Sequence, residues 1–147
     1  MAKVKPVPDG YATVTPFLNV KGASDAIEFY KKAFGAEERA RMPGPNNTLM
    51  HAEIKIGNSV VMISDAMMSP PTQSNIHLYV EDVDAAWKRA VDAGCQIVMP
   101  IGDMFWGDRY GVLSDKWNNR WSLASHKEDV APADMQTRMA EAMKQMK

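Results

Sequence analysis

The sequence predicts an α+β fold built from two βαβββ modules followed by a C-terminal helix. Strand-like and helix-like segments occur in the same order twice along the chain. Each helical segment ends at a glycine, in Phe34-Gly35 and again in Ala93-Gly94. The chain has 147 residues, of which 46% are hydrophobic and 24% charged, an ordinary globular composition. We therefore expect one domain made of two similar halves.

The predicted organisation has five segments. They are a flexible N-terminal arm over 1–11, a first module over 12–66, a linker over 67–73, a second module over 74–127 and a C-terminal helix over 128–147. Pro6, Pro8 and Gly10 disfavour regular structure in the arm. Two such modules could set their sheets edge to edge and enclose a cleft, where we expect the functional site.

The first module begins with a strand predicted over 12–20, in which Pro16 requires an edge position or a bulge. An amphipathic helix follows, with Ser24 as its N-cap and Gly35 after its last turn. Three further strands are predicted at Glu37–Met42, Leu49–Ile56 and Ser59–Ser64. Gly57-Asn58 is typical of a two-residue turn.

The second module repeats this order. Its predicted elements are a strand at Ile76–Val80, a helix at Val83–Ala93, a short strand at Gln96–Met99 and a hairpin of Val112–Ser114 and Trp121–Ser125 around a turn at Asp115–Asn119. The stretch from Asp103 to Ser125 concentrates tryptophans, glycines and an Asp-Arg pair. We interpret it as one wall of a pocket.

Methionines mark one face of the C-terminal helix at helical spacing: Met135, Met139, Met143 and Met146. Pro132 suits the first turn of this helix. The methionine face has two interpretations. It docks on its own domain, or it docks on a second subunit.

Charge and cysteine content limit the class of partner. The formal net charge is −1, so no basic surface is expected for nucleic acid or for a membrane. The single Cys95 follows a helix end, where the helix dipole disfavours a thiolate nucleophile. The first residues contain no apolar signal segment, and we therefore expect a cytoplasmic protein.

Four segments between Thr13 and His126 carry a family pattern: PFLNVKGASDAIEFYKKAFGAEE, LMHAEIKIGNSVVMISD, LYVEDVDAAWKRAVDAGCQIVMP and DMFWGDRYGVLSDKWNNRWSLASH. Together they resemble the PhnB-like branch of the vicinal oxygen chelate superfamily, which includes glyoxalases and bleomycin-resistance proteins. The resemblance implies a half-open eight-stranded mixed barrel of two βαβββ modules, a homodimer, and in many members a bound metal ion.

The resemblance places the metal-chelating positions of the superfamily at Thr15, Met62, Asn75 and Ser122. None of these is a His, Asp, Glu or Cys, the donors that divalent ions prefer. The sequence therefore predicts that this protein has no metal and no other cofactor. The alternative is a divalent metal held by His51, Glu53 and His77, because His51 and Glu53 share a strand face and an alignment shift of two residues brings in His77.

The turn of the last hairpin departs from the family pattern. Relatives carry Pro and Gly where this chain has Lys116-Trp117-Asn118-Asn119 between Asp115 and Arg120. Asn118 or Asn119 can adopt the left-handed conformation that a glycine would supply. We therefore expect the turn to be retained.

The segment Trp106-Gly107-Asp108-Arg109-Tyr110 is the best candidate for a site element. In one interpretation Arg109 grips a substrate carboxylate or phosphate and Trp106 is a stacking wall. In the other, Asp108 and Arg109 fix the loop through backbone and ion-pair contacts.

His77 also has two interpretations. It is a general base on the pocket side of its strand, together with Asn75 and Tyr79, or it is a core histidine with its hydrogen bonds satisfied. His126, after the last strand, is predicted to be exposed to solvent.

Two functions from different classes follow. In the first, a metal-free module binds a small planar or anionic compound through nine residues: Thr15, Phe17, Met62, Asn75, His77, Trp106, Asp108, Arg109 and Ser122. In the second, the protein is a metal-dependent lyase or isomerase with His77 or Glu53 as the base. The absence of the usual chelating residues favours the first.

Overall fold

The computed structural model describes residues 3–146. The chain divides into two compact units, with the boundary between Ser74 and Asn75. Each unit contains one four-stranded sheet and is described by itself. Residues 1 and 2 of the predicted arm and residue 147 of the predicted C-terminal segment lie outside the described residues.

The first unit has the predicted βαβββ order. Its elements are β1 (Phe17–Val20), α1 (Ala23–Phe34), β2 (Glu37–Pro43), β3 (Leu49–Ile56) and β4 (Ser59–Asp65). The strand order in the sheet is β1-β4-β3-β2. Strand β1 pairs with β4 in parallel, and the other neighbours are antiparallel.

Helix α1 covers one face of the first sheet. The core between them consists of fully buried side chains: Leu18, Ile27, Tyr30, Ile54 and Ile63. Successive strand residues point to opposite faces, so Phe17, Glu53 and Met62 point away from α1. We call this surface the far face of the first sheet.

The first strand is shorter than predicted. It begins at Phe17 and not at residue 12, because Pro16 has no backbone N–H to donate to a sheet. The Pro16 carbonyl still accepts a hydrogen bond from the Met62 N–H at 2.9 Å. Strand β1 lies at an edge of the sheet, as the proline requires.

The predicted N-cap of α1 was wrong. The helix begins at Ala23 after Gly22, which has a left-handed φ of 90°, and Ser24 lies inside the first turn. The Ser24 hydroxyl accepts a hydrogen bond from Nη1 of Arg41 instead. The prediction that the helix ends at Gly35 is confirmed, since Gly35 is left-handed with φ 68°.

A distant carboxylate caps α1. Oδ1 of Asp65, the last residue of β4, accepts hydrogen bonds from the N–H groups of Gly22 and Ala23 at 2.7 and 3.0 Å. Oδ2 accepts from the N–H of Leu49 at 2.6 Å. Partial burial alone would raise the pKa of Asp65, but the three N–H donors outweigh it and lower that pKa. One side chain therefore joins the ends of three elements.

The second unit repeats the order and adds a helix. Its elements are β5 (Asn75–Tyr79), α2 (Val83–Ala93), β6 (Gln96–Asp103), β7 (Asp108–Ser114), β8 (Arg120–His126) and α3 (Pro132–Gln145). The strand order is β5-β8-β7-β6, with β5 and β8 parallel. The predicted bounds of α2 are confirmed.

Helix α2 covers one face of the second sheet. The Ser125 hydroxyl on β8 accepts a hydrogen bond from the Val83 N–H at 3.0 Å and donates one to the Val80 carbonyl at 2.6 Å. Ser125 thus joins β8 to the start of α2, as Asp65 joins β4 to α1. Trp87 of α2 lies directly over Gly111, where an added Cβ would come within 2.5 Å of the indole ring.

Strands β6 and β7 are longer than predicted, and β8 (Arg120–His126) also exceeds the predicted Trp121–Ser125. Strand β7 starts at Asp108. The prediction began only at Val112, because charged residues and Gly111 interrupt the apolar pattern before it. Strand β6 extends past Met99 to Asp103. It tolerates Pro100 because it is an edge strand with register shifts on both sides of Met99.

The last hairpin keeps its turn. Asn118 adopts a left-handed φ of 66°, as one of the two predicted possibilities. One carboxylate oxygen of Asp115 accepts hydrogen bonds from the N–H groups of Trp117 and Asn119. The other accepts from Nε1 of the fully buried Trp121 at 2.9 Å. These contacts replace the rigidity that Pro and Gly would supply.

Helix α3 has no buried residue. Met139 and Met143 are 42% and 61% exposed. The interpretation in which the methionine face docks on its own domain is therefore wrong for the single chain. None of the described helices has the length and apolarity needed to cross a membrane.

We expect Asp65→Ala to lower the free energy of unfolding by about 3 kcal/mol, because three backbone donors lose a charged acceptor. Asp25→Ala, an exposed acidic residue in the first turn of the same helix, should cost below about 1 kcal/mol. Urea unfolding of both variants checks this.

The same experiment has a pH arm. The folded-state pKa of Asp65 is lowered, so its contribution is complete above the ordinary pKa of 3.8 and is lost as the pH falls through the lowered value. The stability difference between the wild type and Asp65→Ala should shrink in that acid range. A difference that stays constant to pH 2 would contradict the assigned role.

Candidate functional site

Strand pairing defines which residues occupy equivalent positions in the two units. Phe17 of β1 lies opposite Met62 of β4, and His77 of β5 lies opposite Ser122 of β8. Thr15 precedes the first strand, and its hydroxyl bonds to the Ala12 carbonyl. Asn75 also pairs with β8, but with Arg120. The residues opposite Met62 and Ser122 are therefore Phe17 and His77, and not Thr15 and Asn75 as predicted.

These positions do not fit a divalent metal ion. Among Phe17, Met62, His77 and Ser122, only His77 offers a strong ligand. Across residues 3–146, no group of three or more His, Cys, Asp and Glu side chains is placed to hold a metal ion. We therefore derive no chemical step through a metal.

The far face of the first sheet carries a His–Glu pair. Nε2 of His51 lies 3.4 Å from Oε2 of Glu53, and the two share a strand face as predicted. The Phe17 ring lies 5.8 Å from the His51 ring, centroid to centroid. The Tyr11 hydroxyl donates a hydrogen bond to Glu53, which raises the pKa of Tyr11. Sequence reasoning missed Tyr11 because it lies in the segment predicted to be a flexible arm.

The face of the second sheet opposite α2, its far face, carries four rings. We call His77, Tyr79, Trp106 and Tyr110 the ring cluster. The His77 ring lies 4.5 Å from Tyr79, nearly perpendicular, and 5.9 Å from Tyr110, nearly parallel. Trp106 meets Tyr110 edge to face at 5.3 Å. Tyr79 is 65% exposed, so the cluster is accessible in the chain.

Hydrogen bonds orient the His77 ring. Its Nδ1 lies 2.6 Å from the Ser122 hydroxyl, directly across from it on β8. Asn75, two residues earlier on the same strand face, is exposed. His77 is therefore an exposed residue with one ring nitrogen engaged, and its structural interpretation as a buried core histidine does not apply.

Asp108 accepts hydrogen bonds from two side chains of the ring cluster. It is only 4% exposed. Its Oδ2 accepts hydrogen bonds from the Tyr79 hydroxyl and from Nε1 of Trp106, both at 3.0 Å. Its Oδ1 lies 2.7 Å from Nδ1 of His126. Burial would raise the pKa of Asp108, but these three donors together lower it, and the carboxylate stays charged.

His126 is more constrained than predicted. Its side chain is half exposed, and its Nε2 lies 2.8 Å from Asp129. The hydrogen bonds to Asp129 and to Asp108 raise the pKa of His126. His126, predicted to follow the last strand, is thus the last residue of β8 and part of the hydrogen-bond network of the ring cluster. No sequence signal marked this, because the pairing of Asp108 with His126 arises from strand register.

Arg109 and Asp108 do not form a pair. Nε of Arg109 binds Asp84 of α2 at 3.0 Å, and its Nη1 binds Asp103 at 3.2 Å. These contacts match the interpretation in which Asp108 and Arg109 fix this part of the chain. Burial, and to a lesser extent the nearby Asp115 carboxylate, raises the pKa of the Cys95 thiol to about 12, which disfavours a thiolate.

Comparison with known proteins agrees with this architecture. Residues 11–123 match the model of the Glyoxalase/Bleomycin resistance protein/Dioxygenase superfamily. The uncharacterised protein Mb0911c of Mycobacterium bovis is 40% identical over 139 residues, which cover 86% of this chain and 91% of the relative.

Two solved structures share the fold. TnmS3, an antibiotic binding protein from Streptomyces sp. CB03234, superposes with a TM-score of 0.63 at 20% identity and covers 79% of this chain and 98% of its own. A PhnB protein from Bacillus cereus superposes with a TM-score of 0.58 at 22% identity, covering 78% and 99%. With its two βαβββ units, the chain belongs to the glyoxalase, bleomycin resistance protein and dioxygenase superfamily.

Proposed function

We propose that the protein binds a small planar compound on the far face of the second sheet, without a metal ion. The observation that carries this proposal is the ring cluster of His77, Tyr79, Trp106 and Tyr110 on a strand face that no helix of its unit covers. Rings of this kind stack with a planar partner and contribute about 0.5–1.5 kcal/mol per ring pair beyond burial.

The cluster is held in place before any ligand arrives. Asp108 fixes Tyr79 and Trp106, and Ser122 engages His77. Side chains that are already ordered lose little conformational entropy on binding, so more of the stacking energy remains as affinity. Asn75, Ser122 and the free ring nitrogen of His77 are the polar groups that would orient a ligand.

A structural neighbour supports the class of function. TnmS3 is described as an antibiotic binding protein, and binding rather than catalysis is therefore a known use of this fold. At 20% identity the likeness concerns the fold alone, so it supports the proposal by analogy. The contacts of the ring cluster provide the argument specific to this chain.

The alternative is a metal-dependent lyase or isomerase that uses His51, Glu53 and His77. One observation favours it: His51 and Glu53 lie 3.4 Å apart on the far face of the first sheet. A carboxylate beside an imidazole is suited to proton transfer. The alternative requires an ion to stabilise the developing oxyanion, whereas the planar-ligand proposal does not.

We also propose that the protein is cytoplasmic and forms a homodimer. The methionine face of α3 is exposed in the single chain, and methionine suits an adaptable apolar contact. Light scattering of the wild-type protein should give twice the mass of one chain. The Met139→Glu variant should give the mass of a single chain. A monomeric wild-type protein would contradict the dimer.

The binding proposal predicts that Tyr110→Leu weakens the affinity for coumarin, a neutral planar probe, about tenfold, because two ring contacts of the cluster are lost. Tyr11→Leu is the matched control, since it makes the same substitution in the first unit. Isothermal titration calorimetry measures both. Equal losses in the two variants would contradict a site on the second sheet.

The metal-free part of the proposal is tested with the same probe. Protein treated with EDTA and dialysed should bind coumarin as strongly as untreated protein. Binding or turnover that returns only after Mg²⁺, Mn²⁺ or Zn²⁺ is added, and that His51→Ala abolishes, would favour the lyase or isomerase alternative.

A further inference from the structure

A cavity lies in the second unit, at the turn between β6 and β7. It has a volume of about 510 Å³, within the range of small-molecule sites. Its lining residues are Asp103, Met104, Gly107, Asp108, Arg109, Lys127 and Glu128. Of these, Asp108 also accepts hydrogen bonds from Tyr79 and Trp106 of the ring cluster. We call this cavity the turn cleft.

The backbone fixes the walls of the turn cleft. The Gly107 carbonyl accepts hydrogen bonds from the N–H groups of Lys127 and Glu128 at 2.8 and 3.1 Å. Gly107 has a φ of 101°, and an added Cβ would come within 2.3 Å of the Glu128 carbonyl oxygen. Only glycine allows this close approach without strain. The chain after β8 is thus held against the turn, which fixes the backbone of Lys127.

The acidic residues of the turn cleft already have partners. Asp103 binds Nη1 of Arg109, and Glu128 binds Nη1 of Arg138. Asp108 accepts three hydrogen bonds and lies almost fully buried. Each of these carboxylates is therefore already engaged by a donor of the protein itself.

The basic residues are not fully used. Within residues 3–146, the side chain of Lys127 makes no hydrogen bond and no ion pair. Arg109 engages its Nε and Nη1, which leaves Nη2 without a hydrogen bond in the described part of the chain. Two cationic donors with unused hydrogens thus line one cleft.

We propose that the turn cleft binds the oxyanion group of a small molecule, with Lys127 and Nη2 of Arg109 as the donors. Lys and Arg are donors only, and charge-assisted hydrogen bonds to oxyanions are their strongest contacts. A small cation would have to compete with Arg109 for Asp103 and with Arg138 for Glu128. From the sequence we predicted only Arg109 as a donor to an anion. In the structure Lys127 lines the same cleft as Arg109.

Titration of the full-length protein with inorganic phosphate, and separately with acetate, tests this site. Amide NMR signals are followed at constant ionic strength set with sodium chloride. We expect saturable shifts at Gly107, Arg109 and Lys127 with at least one of the two anions. Saturation by phosphate alone identifies a phosphate group as the ligand chemistry, and saturation by acetate alone identifies a carboxylate.

Lys127→Met should weaken that binding about tenfold, the loss expected for one charge-assisted hydrogen bond. Lys127→Gln, which retains a hydrogen-bond donor but no charge, should give an intermediate loss. Lys144→Met is the matched control, because Lys144 is an exposed residue of α3 that does not line the cleft. This control should keep wild-type affinity.

Two results would overturn the proposal. One is linear, unsaturated shifts with both anions. The other is an equal loss in Lys127→Met and Lys144→Met, which would reflect net charge and not a site. Coumarin binding is measured on the same Lys127 variants and should be unchanged, so a failure of the oxyanion site is distinguishable from a failure of the planar-ligand site.

Discussion

The parallel pairing of the first and last strands is the contact on which each unit depends. In the first unit β1 pairs with β4, and in the second β5 pairs with β8. Parallel strands cannot be joined by a tight turn, so the helix and the two intervening strands must form the connection. A polar side chain on the last strand then fixes the helix start, through Asp65 in one unit and Ser125 in the other.

This arrangement determines which side chains each sheet presents on the face that its helix does not cover. The helix covers one face of each sheet. Every second residue of a strand points away from the helix and therefore lies on the far face. In the first unit that face presents the His51–Glu53 pair. In the second it presents the ring cluster, supported from below by Asp108. Burying this carboxylate is tolerated because Tyr79, Trp106 and His126 all donate to it.

The local pattern of the sequence was sufficient for most elements. Helix α2 and strand β3 have the predicted bounds, since apolar periodicity and flanking glycines are local signals. Strand β7 was predicted too short, because Asp108 and Arg109 look like loop residues until their partners are known. The cap of α1 was assigned to Ser24, whereas the acceptor is Asp65, which lies 43 and 42 residues along the chain from the N–H donors of Gly22 and Ala23.

The candidate site was less predictable for the same reason. Sequence reasoning named His77, Trp106, Asp108 and Ser122, which the strand register of the second unit brings onto one face or beside it. It did not find the roles of His126, the last residue of β8, or of Lys127, which follows it. His126 acquires its partners, and Lys127 its cleft, only through folding. Hydrogen-bond networks depend on distances in space, and residue spacing along one strand does not encode them.

The most direct test of the account uses the indole N–H signals of the four tryptophans in a ¹⁵N-labelled sample. Trp106 Nε1 donates to Asp108 at the ring cluster, whereas Trp121 Nε1 donates to Asp115 in the core. On addition of coumarin, we expect the Trp106 indole signal to shift and saturate while the Trp121 signal stays in place. A Trp106 signal that does not move at saturating coumarin, or moves only together with Trp121, would contradict a planar-ligand site on the second sheet.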